Sequence, residues 1–365
     1  MEQTKVFDAY DYFEGIDDFK QFISKKGEVR YKNESAWMPW EFDFWINWFK
    51  MPADGRLLFY FSHVYAEDLI VCEFYPEDQS IATIFTADVN VISDEYFYRQ
   101  DVHICNDGTL FLTGKTSTTI HETYRYHVLH FAADGTLLGK FDQTDRNFTA
   151  IPYAFSPKLQ TIFIWNNQTL EVLRYNLENH QFEPLFVFTK YVDALTVNDQ
   201  HLVIAAYKDV AIVALDDVKE VQLYPLERDV DEYPPIALSF HNNVLTTVQP
   251  YCDRDSDIQG SWMDSWWGGV FQYELKDGKF EDGKEYLFGE KGGFKDAELA
   301  IIDVKRDRII LFDWARERYF SIMQSMEAPV AYKWGKIGKG CSMMGIRPDG
   351  TLWVGNHTEL SRIVI

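Results

Sequence analysis

Apolar and polar residues alternate in short runs along most of the chain. The runs RLLFYF (56–61), TLFLTG (109–114), TIFIW (161–165), HLVIAAY (201–207), NVLTTV (243–248), RIILFDW (308–314) and TLWVG (351–355) are rich in β-branched and aromatic residues. A period of two, bounded by turn residues, predicts strands. Asp-Gly pairs at 54–55, 107–108, 134–135, 277–278, 282–283 and 349–350 add tight-turn signals, most of them followed by a β-rich run. The pattern recurs about every 40 to 65 residues, a spacing that favours repeated antiparallel sheets over βαβ units.

The intervening runs complete sets of four strands. DVHIC, TLFLT, YHVLHF and TLLGKF make one set over 101–141. Further sets fit 41–86, 151–188, 193–226, 236–289 and 298–334, the last ending in PVAYKW (329–334). The final set, CSMMGI, TLWVGN and ELSRIVI, has only three strands. Its missing outer strand is expected from the N-terminal segment, with VRY (29–31) as the candidate, because closure removes open sheet edges. IDDFKQFISKKG (16–27) reads as a short helix, capped by Asp17 or Asp18 and stopped by Gly27. Residues 1–35 therefore form an extension and 36–365 a single domain.

This rhythm resembles that of the β-propeller superfamily, and PDGTLWVG (348–355) resembles the blade signature of many bacterial propellers. The resemblance implies an all-β, closed propeller of four-stranded blades, seven favoured and six or eight possible. It identifies no single family. The Gly-His and Trp-Asp dipeptides of WD40 blades are missing, and so is the Asp-box of sialidases.

In such a blade the Asp-Gly turns at 54, 107, 134, 277 and 349 fall at one end. The opposite end receives the long segments 86–100, 115–125, 226–235, 250–267 and 289–297. Long connections in a compact domain are usually functional or disordered, so binding is expected at that second end. Trp262, Trp266 and Trp267 sit in the 250–267 segment among Asp253, Asp255, Asp257 and Asp264. The Trp residues either pack on a neighbouring blade or form an aromatic platform for a sugar, a cation or a partner's side chain. Glu232, Tyr233, His121, Tyr124 and Arg125, from neighbouring segments, complete the candidate ligand-binding set. The Asp spacing resembles an EF-hand calcium loop, with Asp264 at position twelve. It departs from that loop in Ile258, where Gly would make the turn, and in Asp264, where Glu would bind. Ca²⁺ is thus one reading and a solvated acidic loop the other. No other cofactor is expected.

The chain carries 35 basic and 57 acidic residues, a net charge of −22. That balance argues against nucleic acid and anionic membranes and favours basic partners. No apolar run reaches the length of a membrane span, and the acidic start lacks the pattern of a signal peptide. The four scattered cysteines, Cys72, Cys105, Cys252 and Cys341, make no CxxC, so a reducing cytoplasmic setting is expected.

Catalytic motifs fail on inspection. GKIGKGC (335–341) has the glycines of a phosphate loop without its Lys-Ser/Thr, and neither GxSxG nor HExxH occurs. His127 and His130, three apart on a strand, face opposite ways. The abundant carboxylates leave a paired-acid glycosidase open. The expected function is therefore a non-catalytic binding module whose long-loop face takes a ligand or a protein partner, such as a basic protein held by an inhibitor. The alternative is a hydrolase of a carbohydrate or lactone at the channel mouth. There Trp266 or Trp267 would stack on a sugar, and Asp253, Asp255 or Asp257 would serve Ca²⁺ or acid–base chemistry. A third reading is an assembly subunit using Trp37, Trp40, Trp45 and Trp48, although these more simply pack the first blade.

Overall fold

The alternating runs fold as strands. The computed structural model describes residues 3–8, 45–48, 55–62, 68–88, 97–118, 123–145, 152–206, 209–218, 221–226, 235–253, 266–287, 297–313, 318–323, 343–355 and 359–363. Every element there is a β-strand except one 3-10 turn, Val304–Arg306. None of these residues forms a helix long and apolar enough to cross a membrane.

Strand β1 (Gln3–Asp8) comes first in the chain. A first antiparallel sheet follows from β2 (Trp45–Trp48), β3 (Leu57–Ser62), β4 (Asp68–Tyr75) and β5 (Ser80–Asp88). The next holds β6 (Phe97–Ile104), β7 (Leu110–Thr118), β8 (Thr123–Phe131) and β9 (Leu137–Asp145). A third holds β10 (Tyr153–Ser156), β11 (Thr161–Asn166), β12 (Glu171–Asn176) and β13 (Gln181–Val187). A fourth holds β14 (Ala194–Val197), β15 (His201–Ala206), β16 (Asp209–Ala214) and β17 (Gln222–Pro225). A fifth holds β18 (Ala237–His241), β19 (Val244–Asp253), β20 (Trp266–Lys276) and β21 (Lys279–Leu287). Strands β22 (Ala297–Asp303), β23 (Arg308–Asp313) and β24 (Arg318–Met323) form a three-stranded sheet, and PVAYKW lies outside the described residues. The last sheet is β25 (Met343–Ile346), β26 (Leu352–Gly355) and β27 (Glu359–Ile363), completed by β1.

The N-terminal segment does supply that outer strand, but with Gln3–Asp8. VRY and the expected helix at 16–27 lie outside the described residues. Gln3 pairs with Ile363 and Asp8 with Glu359, with one irregularity between Lys5 and Phe7. Burial gives this strand its hold: the Phe7 ring is 4% exposed and meets Phe74 edge-on at 5.2 Å.

The chain divides into two compact units. The first is 1–150, 177–181 and 339–365; the second is 151–176 and 182–338. In the first, Leu58, Leu69 and Val71 of one sheet bury against Val102, Leu112 and Leu129 of the next. In the second, three such layers follow in chain order. Trp165 and Val172 pack with Leu202 and Ile204; Val203 and Val210 with Leu245 and Phe271; Val248 and Val270 with Ile309 and Leu311. Each fully buried side chain of this kind contributes about 1.5–3 kcal/mol, so the alternation itself holds each sheet in register.

Among the described residues one turn is built three times, at CNDGT (105–109), AADGT (132–136) and RPDGT (347–351). In each, the glycine N–H donates to the carbonyl three residues back, at 3.0 Å (Gly108), 2.9 Å (Gly135) and 2.8 Å (Gly350). The Asp carboxylate then accepts the threonine N–H at 2.9 Å (Asp107), 3.0 Å (Asp134) and 2.9 Å (Asp349). All three glycines have φ between 84° and 91°, the left-handed region that a side chain disfavours.

The opposite sheet ends correct the sequence reading. In segment 86–100 residues 86–88 and 97–100 are strand, and in segment 115–125 residues 115–118 and 123–125 are strand; the remainder of both segments lies outside the described residues. Their Thr, Tyr and Phe residues suit a half-buried pleated surface and extend the hairpins beyond the expected loop boundaries.

Candidate functional site

The second-end residues named from sequence fall on two different units. Tyr124 and Arg125 lie on β8 in the first unit, on a strand rather than in a loop. Arg125 is exposed, and the Tyr124 ring carries the Lys115 ammonium 4.5 Å above its centroid, a cation–π contact inside the sheet. Asp253, Trp266 and Trp267 lie in the second unit, also on strands. Trp262, Glu232, Tyr233, His121, Asp255, Asp257 and Asp264 lie outside the described residues. Among the described residues no group of three His, Cys, Asp or Glu is close enough to hold a metal ion.

Strands β19 and β20 run 10 and 11 residues, whereas the other described strands reach 9 at most. Their pairing proceeds from Val244↔Glu274 to Gln249↔Gly269 and is interrupted once. It then resumes with Cys252 opposite Trp267 and Asp253 opposite Trp266. The hairpin thus carries an acidic residue and an indole to neighbouring register positions at its far end. Gly269 sits just before the irregularity because a Cβ there would stand 2.4 Å from the Phe271 ring, which folds over it. Below it, Thr247 and Gln249 are 3% and 7% exposed. Neither Thr247 Oγ1 nor Gln249 Oε1 meets a hydrogen-bond partner among the described residues. Buried polar atoms are nearly always paired, so this strand holds two positions with unused hydrogen-bonding capacity.

A second constellation was not read from the sequence. His127 on β8 bridges its two neighbouring strands. Its Nδ1 donates to Asp142 Oδ1 on β9 at 2.7 Å, and its Nε2 shares a 3.0 Å hydrogen bond with Thr116 Oγ1 on β7. Lys140 Nζ stands 3.2 Å from the other Asp142 oxygen. The carboxyl of Asp142 is held below its ordinary range first by the His127 hydrogen bond, against the opposing effect of burial and with help from Lys140. The order hydroxyl, imidazole, carboxylate matches a nucleophilic triad. However, both ring nitrogens of His127 are taken up by the neighbouring strands and Thr116 and His127 are 1% and 2% exposed, so the group acts as a strut across three strands. His130 lies on the other face of β8 and stacks on Phe111 at 4.2 Å, so the two histidines do point apart.

Comparison with known proteins identifies the fold. No protein-family model matches the chain, and no curated protein sequence matches it. Solved structures do. Hydrazine synthase of Kuenenia stuttgartiensis superposes with a TM-score of 0.57 at 11% identity, over 91% of this chain and 99% of that one. The dihydro-heme d1 dehydrogenase NirN gives 0.53 at 12%, over 89% and 67%. A virginiamycin B lyase from Staphylococcus aureus, solved with quinupristin, gives 0.51 at 10%, over 88% and 96%. The chain has a β-propeller fold. At such identities the likeness carries the fold alone.

Proposed function

We propose that the chain is a recognition propeller of seven blades, closed by β1, that takes a cationic group of a partner at the far end of the β19–β20 hairpin. The observation that carries this reading is the register of Asp253 opposite Trp266 on the hairpin whose strands are the longest among the described residues. An indole face attracts a cation through its quadrupole, and a neighbouring carboxylate adds charge. The net charge of −22 supports steering of a basic partner toward any such site. The seven sheets among the described residues, the last finished by β1, support the blade count and the closure. The neighbours include a lyase, so the fold itself serves catalysis as well as recognition.

The test is a fluorescence titration with a lysine-rich peptide at low and at physiological salt, on the parent protein and on Trp266→Ala with Asp253→Asn. Saturable binding that survives physiological salt and weakens at least tenfold in the double variant supports the proposal. Binding equal in both proteins, or lost with salt alone, would reduce the attraction to net charge and overturn it.

A further inference from the structure

We propose that a cleft at the opposite end of the β18–β21 sheet is a binding site for a small, neutral, polyhydroxylated ligand of the size of a sugar. The cleft has a volume of about 450 Å³, within the ~300–1,000 Å³ of small-molecule sites. It lies between this sheet and the turn joining β22 to β23, wholly inside the second unit.

Its floor is a row of uncharged hydrogen-bonding side chains set by strand register. Ser239 on β18 pairs with Thr246 on β19, and Thr246 with Gln272 on β20. The Gln272 amide donates to Thr246 Oγ1 at 3.4 Å, and Thr246 is 3% exposed. Two hydroxyls and an amide in line both donate and accept, which matches vicinal hydroxyls on a ring. The pairing of β20 with β21 shifts between Phe271 and Tyr273, and Gly283 then closes in on Gln272. A Cβ at Gly283 would stand 2.4 Å from the Gln272 carbonyl oxygen, so the backbone is drawn tight behind the floor.

The wall is rigid for a different reason. Val304 opens the 3-10 turn and Asp307 caps its end, with φ 50° and its N–H donating to Val304 O at 3.4 Å. Behind that turn Asp303 accepts Arg308 Nε at 3.1 Å and Arg306 Nη1 at 3.2 Å, with Asp303 and Arg308 both under one-tenth exposed. A buried ion pair with this geometry fixes the turn and thus the width of the cleft. The rim bears both signs of charge, and its Glu274 is already met by Lys276 at 2.8 Å. The innermost groups are uncharged, so the site suits a neutral ligand rather than an anion or a zwitterion.

The probes are D-glucose, D-galactose and myo-inositol, with L-glutamate, L-lysine and inorganic phosphate as charged comparators. Binding is read by saturation-transfer NMR and calorimetry on the full chain. The parent protein should bind at least one neutral probe saturably. Thr246→Val, which conserves shape, and Gln272→Leu should each weaken it by at least about tenfold while keeping the parent melting temperature. Thr246→Val serves alone if Gln272→Leu melts early. Saturable binding of a charged comparator instead, neutral binding unchanged in Thr246→Val, or no saturable binding of any probe would overturn the proposal.

Discussion

His127 Nδ1 and Asp142 Oδ1 stand 2.7 Å apart across the β8–β9 pairing. The bond joins the third strand of the blade to the outermost, while Thr116 ties the same ring to the second. Loss of the carboxylate leaves an imidazole at 2% exposure without that partner.

Asp142→Ala is therefore expected to lower stability by about 1.5–3 kcal/mol, the usual worth of a hydrogen bond to a charged group. The carboxyl titrates below its ordinary 3.8, so its stabilisation is complete above that value and fades as pH falls through the lower folded one. Urea unfolding between pH 5 and pH 2 should show a shallower acid decline in Asp142→Asn than in the parent. Parallel curves would remove the carboxylate from the account.

His130 carries a stability effect of opposite chemistry in a neighbouring pH range. Burial first, and the nearby His180 second, lower its pKa from 6.5 to about 4. The unfolded chain then binds the proton more readily, so stability is full above pH 6.5 and declines as pH falls toward 4. At pH 5 the loss should reach about 2 kcal/mol. His130→Phe keeps the ring over Phe111 and should flatten that limb. An unchanged slope between pH 7 and pH 5 would contradict the assignment.

The three Asp-Gly-Thr turns separate conformational strain from collision. A side chain at any of their glycines meets the left-handed penalty of about 1–2 kcal/mol. At Gly108 an added Cβ lies 3.3 Å from the Ala133 Cβ, but at Gly135 it lies 2.3 Å from the Thr86 carbonyl oxygen. Gly135→Ala should consequently melt well below Gly108→Ala. Equal melting temperatures would mean that the backbone at Thr86 yields at little cost.

Cys105 should be inert in the native protein. It is 3% exposed, and burial pushes its thiol up to about 11 despite the Thr109 hydrogen bond. Cys72 is buried as well. Timed labelling with a thiol reagent at pH 8 should modify neither until denaturant is added, as mass mapping of the two peptides would show. Rapid native labelling of Cys105 would place it in a much more open setting.

Most of the strands were readable because their residues alternate and their ends carry Asp-Gly or Asn signals. RYFSIM (318–323) matches β24 residue for residue, and HLVIAA (201–206) matches β15. The signal weakened where polar β-branched residues continue a strand, as in KTST (115–118), which reads as loop although it pairs with β8. The His127–Asp142 bond was within reach, since a hairpin pivoting on Asp134-Gly135 brings residues 127 and 142 face to face. The Ser239–Thr246–Gln272 row was harder to see. Each residue is an ordinary polar member of its own strand, and only cross-strand register puts the three side by side.

The pairing of β1 with β27 also bears on how the chain is made. Gln3 emerges from the ribosome ahead of nearly everything described here, yet its partner Ile363 is synthesised at the far end of the same stretch. During translation β1 must therefore wait with its backbone donors exposed while sheet after sheet settles behind it. Any chaperone that guards this chain has its longest task at the first strand, and the last sheet is complete only when synthesis has passed Ile363.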